Sequence, residues 1–134
     1  MDKNLLNEQI PQIYCAISII FEQSVDVDNI LFDFKRHGMS EIKVHKPKLE
    51  SSICLDIAII NNERFWHLDE ALTKMFSKID NISQLKSLGD RNGGSFLIDI
   101  AFYKCGSYPS LDFIGENMDK IRFLEAEISI DAYG

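Results

Sequence analysis

The feature that most constrains this chain is the two-sidedness of its apolar runs. Ile13, Cys15, Ile17, Ile19 and Phe21 alternate with Tyr14, Ala16, Ser18 and Ile20, and Phe96, Ile98, Ile100 and Phe102 alternate with Leu97, Asp99, Ala101 and Tyr103. Successive side chains on a strand point to opposite faces, so the odd-numbered set of the first run and the even-numbered set of the second each make an oily face. The first run reads as a central strand. Ile53 to Ile60 is another, Glu41 to Lys46 a short one that stops at Pro47 and suits a sheet edge, and Ile128 and Ile130 alternate with Glu127, Ser129 and Asp131 in a closing strand.

Helical spacing fills the gaps. Val27, Ile30, Leu31 and Phe34 follow Asp26 as N-cap, and Lys35, Arg36 and His37 complement the dipole before Gly38. Leu68, Leu72, Met75, Phe76 and Ile79 mark a second helix, Asn81 caps a third through Leu85 and Leu88, and Met118, Ile121 and Leu124 give a last one. Asn61-Asn62 reads as a turn, Trp66 as a buried anchor at a helix entrance, and Gly89, Gly93 and Gly94 as a helix C-cap and turn. The order predicts an α+β fold: a mixed β-sheet with helices mainly on one face, a ferredoxin-like βαββαβ core and a C-terminal αβ extension. The 134 residues form one domain, with residues 1–12 a loosely ordered N-terminal segment.

With helices on one face, the strand residues sort into two sets. The covered set is Ile17, Ile19, Leu55, Ile57, Ile98, Ile100, Ile128 and Ile130. The open set is Tyr14, Ala16, Ser18, Asp56, Ala58, Asp99, Ala101, Tyr103, Ser129, Asp131 and Tyr133. Asp56, Asp99 and Asp131 each interrupt an apolar strand on that open face, and small residues beside Tyr14, Tyr103 and Tyr133 leave a shallow surface with aromatic bodies and hydroxyl handles, a mixture that partner-binding surfaces use. The same pattern also suits a plain solvated face whose acids oppose edge association.

The net charge is −7, and its distribution narrows the partner. Residues 1–33 hold six acids and one base, residues 109–134 six acids and two bases, and the middle eleven bases and nine acids. Such a field repels phosphate backbones and speeds encounter with a basic protein, so nucleic acid is not an expected partner. No run approaches the ~20 apolar residues of a membrane span. Cys15, Cys54 and Cys105 show neither paired nor metal-ligand spacing, and the opening residues lack a signal-peptide layout, so a cytoplasmic setting is expected.

Catalytic chemistry finds no foothold in the spacing. His37, His45 and His67 stand in no HxxxH or HExxH relation, Cys15 and Cys54 lie among aliphatic residues that raise a thiol pKa, and nothing resembles a calcium loop. No metal, cofactor or catalytic residue is therefore expected. The glycines around Asp90 and Arg91 follow a helix and precede a strand, the reverse of a phosphate loop. Both cysteines read as core, Cys105 as a loop residue, and Lys35, Arg36, Lys43, Lys46 and Lys48 as a solvated edge.

The closing segment, Pro109-Ser110-Leu111-Asp112-Phe113, the helix around Met118 and Ile121, and Ala126-Glu127-Ile128-Ser129-Ile130-Asp131-Ala132-Tyr133, resembles that of the bacterial domain of unknown function 4279 family. The Asp-x-Tyr ending is its most specific part. Trp66 opening a long amphipathic helix, and an Asp-capped helix at Asp26 after the opening strand, are similar too, so the likeness spans residues 13–133. The resemblance implies a fold and transfers no catalytic residue.

Two functions remain. One is a small acidic protein-binding module, such as an immunity protein covering a toxin's basic active site, with Tyr14, Asp56, Asp99, Tyr103, Asp131 and Tyr133 as the contact set. Self-association into a homodimer through the same open face is a variant of it. The other is a small-molecule binding domain or minor enzyme with a carboxylate-lined pocket on the open face, using Asp56 or Asp99 as acid or base.

Overall fold

The computed structural model describes residues 9–22, 25–39, 42–45, 52–103, 108–112 and 115–133. Strands β1 (Gln12–Glu22), β2 (Lys43–His45), β3 (Ser52–Arg64), β4 (Ser95–Tyr103) and β5 (Glu127–Tyr133) form a five-stranded sheet in the order β2-β3-β1-β4-β5. β1 pairs antiparallel with β3 and β4, β2 antiparallel with β3, and β5 parallel with β4. The protein is thus α+β with a mixed sheet. β1 and β2 run parallel with β3 between them, and β3 and β4 run parallel with β1 between them, so the helical connections from β1 to β2 and from β3 to β4 each cross one strand.

Helices α1 (Val27–Arg36) and, together, α2 (Leu68–Ser77) and α3 (Ile82–Arg91) supply those crossings, and α4 (Gly115–Leu124) joins β4 to β5. Asp26 accepts the Asn29 amide at 3.2 Å and Asn81 the Gln84 amide at 3.0 Å, satisfying first-turn donors that no helical carbonyl can reach. Parallel β4 and β5 require a crossover, and α4 is that crossover. Its buried Asn117 donates to the Asp69 carboxylate at 2.8 Å and the Thr73 hydroxyl at 2.9 Å, pinning α4 to α2. Arg91 and Asn92 donate to Asp33 at 2.7 and 3.2 Å and tie α3 to α1, which holds the Asp33 carboxyl below its usual range.

One core cluster joins the oily strand faces to the helices. Ile13, Cys15, Ile17, Ile19 and Phe21 of β1 and Phe96, Ile98, Ile100 and Phe102 of β4 pack with Ile30, Phe34, Leu72, Met75, Leu85, Leu88 and Leu124. A Cβ at Gly94 would run into Ile19 and Phe21, so the turn into β4 approaches β1 more closely than any other residue permits. No helix among the described residues is long and apolar enough to cross a membrane. Residues 1–8 lie outside the described residues, while Ile10 and Pro11 accept bonds from Arg64 and the Phe65 amide.

Several expectations are corrected here. β3 carries two irregularities against β1. Ser18 pairs with Asp56 but Ile17 with Ala58, leaving Ile57 as an extra residue, and this bulge swaps the phase of the strand. Ala58 is therefore buried under the helices, whereas Ile57 is only half-buried. The second shift lies between the pairs Ile13/Glu63 and Cys15/Ile60, where Asn62 takes φ 55°. Asn61-Asn62 is thus a bulge inside a longer strand, because asparagine tolerates the left-handed region.

Ile128 and Ile130 keep the phase of Ile98 and Ile100 but lie on the last strand, where they remain 38% and 42% exposed. Trp66 is 42% exposed, and fully buried Leu68 is the anchor. The backbone beside Trp66 instead bridges to Ser110, with Trp66 O and the Leu68 amide both bonded to it at 2.8 Å. Gly89 lies within α3 under the Phe96 ring, not at its cap. Cys105 lies outside the described residues, as do Lys46 and Lys48; Lys35, Arg36 and Lys43 are exposed.

Candidate functional site: an acidic sheet face

The register places the open-face residues in rows across the sheet. Gln12, Tyr103 and Tyr133 make one row; Tyr14, Ala101 and Asp131 the next; Ile59, Ala16, Asp99 and Ser129 the third; and Lys43, Asp56, Ser18 and Leu97 the fourth. Asp131, Asp99 and Asp56 therefore step diagonally across the face, each beside a small residue: Ala101, Ala16 and Ser18. Ala16 and Ser18 are 1% and 4% exposed, yet neither belongs to the core cluster that the helices cover.

Electrostatics follow from that layout. Asp99 sits in the middle of the diagonal, and burial, then Asp131, then Asp56 push its carboxyl above the ordinary value. Asp131 is a diagonal neighbour on the adjacent strand, about 7 Å away by sheet geometry, whereas Asp56 lies two strands off, which explains their order. Asp56 accepts the Ser18 hydroxyl at 2.8 Å and, more weakly, the Cys54 thiol at 3.8 Å. Tyr14 is half-buried, and burial followed by the Asp56 and Asp99 charges raises its phenol pKa. Tyr103 and Tyr133 stack with centroids 5.2 Å apart and planes at 19°, both more than a third exposed.

All six residues expected for partner contact thus share one face. Ala58 leaves it for the core and Ile59 takes its place, by the phase change at Ile57. Cys54, expected in the core, is half-buried on this face beside Asp56, and burial raises its thiol pKa. Cys15 matches its core reading, with burial pushing its pKa up to about 12. Lys43, across the ladder from Asp56, is a face residue that the alternation of its own short strand was too brief to reveal.

A second feature had no sequence signal. A cavity of about 830 Å3 opens where β3 runs past the end of β2, between the end of α1 and the α2–α3 turn, with His37, Met39, Lys43, Ile57 and Lys78 among its walls and Asp56 at its rim. This cavity borders the open face through Lys43 and Asp56. Among the described residues, no group of three or more His, Cys, Asp or Glu is placed to hold a metal ion. Compared with family models, curated proteins and solved structures, the chain matches none.

Proposed function

We propose that this chain is a small acidic protein-binding module whose acidic sheet face docks a basic protein surface, as an immunity protein covers the positively charged site of a toxin. The observation that carries the reading is the carboxylate diagonal, which keeps Asp99 partly desolvated between two like charges beside a stacked tyrosine pair. A cation placed over Asp99 relieves that crowding, and the tyrosines offer apolar area with polar tips. The reading carries with it a cytoplasmic setting and membership of the family that the closing Asp131-Ala132-Tyr133 segment resembles.

The test uses a basic protein encoded next to this gene, purified and titrated against the wild type and the Asp56→Lys/Asp99→Lys variant. Association should weaken by about 2–5 kcal/mol, and most of the loss should appear at low salt. A folded double variant with unchanged affinity overturns the assignment.

The 830 Å3 cavity favours a second reading, a small-molecule domain with Asp56 at the rim, since its volume lies in the range of ligand sites. Under that reading, a metabolite mixture should shift amide resonances around Ile57 and Lys78 and leave those of Asp99 and Asp131 in place.

A further inference from the structure

The two edges of the sheet are finished differently. At the β2 edge the strand is three residues long, and beyond it Lys78 donates its ammonium to the Ile59 carbonyl at 2.7 Å, filling the open ladder of β3. Short strands and lysines are how proteins close an edge to other chains. β5 has neither device. It is seven residues long with no lysine, proline or bulge, pairs only with β4 among the described residues, and is exposed at every position.

β5 is also chemically two-sided. Ile128 and Ile130 point to the helix side and Glu127, Ser129, Asp131 and Tyr133 to the acidic face. A strand added to this edge would face Ile128 and Ile130 with one set of side chains and Glu127 and Asp131 with the other. We propose that β5 is the receptor edge for a partner strand in which apolar and basic residues alternate. This rests on the protein-binding reading and specifies how the partner engages. A second copy is the poorer occupant: antiparallel pairing about Ile130 would set the two Asp131 side chains as diagonal neighbours between chains that each carry −7.

The probe is a capped heptapeptide of alternating lysine and valine, compared with a block peptide of the same composition. The alternating peptide should bind this chain about tenfold more tightly, because only it satisfies ladder, apolar and acidic sides together. Hydrogen exchange should slow at the β5 amides that face away from β4. Ile128→Lys with Ile130→Lys should abolish the preference while the fold is kept, since both side chains are exposed and face away from the acidic surface.

Equal binding of the two peptides, still lost in Asp56→Lys/Asp99→Lys, overturns strand addition and leaves the acidic-face reading standing. A preference for the alternating peptide that survives the Asp56/Asp99 reversal supports the edge and counts against the face. Binding of neither peptide, or slowed β5 exchange in the protein alone with a rise to dimer mass, overturns the proposal.

Discussion

On β1, Ile17 and Ile19 are buried beneath helices, while Ala16 and Ser18 beside them are buried on the opposite face, outside the core cluster. The first kind of burial removes large apolar side chains from water, about 1.5–3 kcal/mol for each. The second kind contributes shape. Small residues on the central strand let Asp56, Asp99 and the aromatic rings of neighbouring strands stand above a floor. One face stores the stability of the fold, and the other is left free to vary its surface.

The sharpest way to break that comparison is at the bulge. Ala58→Lys should cost about 4 kcal/mol or more, because it drives an unpaired ammonium into the core. Ile57→Lys, at a half-buried cavity wall, should cost about 1 kcal/mol. Urea titration of both reads the difference. Reversed costs would mean that β3 keeps strict alternation and that the bulge is absent.

The comparison sharpens between two isoleucines of equal phase. Ile98→Ala should lose about 2–5 kcal/mol, since a fully buried side chain leaves a cavity under the helices. Ile130→Ala, one strand away and 42% exposed, should lose about 0.5 kcal/mol or less. Similar losses at both, measured by chemical denaturation, would show that α4 or another segment covers β5 in solution.

Those residues also mark where sequence reasoning stopped. Alternation assigned each residue from Ile13 to Phe21 and from Phe96 to Tyr103 to its face, because β1 and β4 pair without a shift over those stretches. It failed at Ile57 and Ala58 because an inserted residue leaves no mark on hydrophobicity, and both residues are apolar. It gave Ile128 and Ile130 the correct side yet the wrong environment, since a period of two reports direction and not whether a helix lies overhead. The acidic diagonal was legible because charged residues interrupting apolar strands are conspicuous. The cavity was not, because it depends on where β2 stops relative to β3.

The smallest effect concerns Asp99. Its folded carboxyl pKa is raised by burial and by Asp131 and Asp56, so between the unfolded value, about 3.9, and the folded one the native state holds more protons than the unfolded state. Stability contributed at this site therefore falls as pH rises through that window, and the whole penalty is present at pH 7. Asp99→Asn should make the protein slightly more stable than wild type at neutral pH, with the advantage shrinking as the pH is lowered through the folded pKa and vanishing below the unfolded one. Denaturation at neutral pH and near pH 3 reads this directly. A variant less stable than wild type at pH 7 would mean that Asp99 has a favourable cationic partner within the chain and that the diagonal is not a crowded one. If the expected gain is found together with weaker binding of a basic partner, the crowded carboxylate is kept at the expense of stability because it serves recognition, the usual trade at a binding surface.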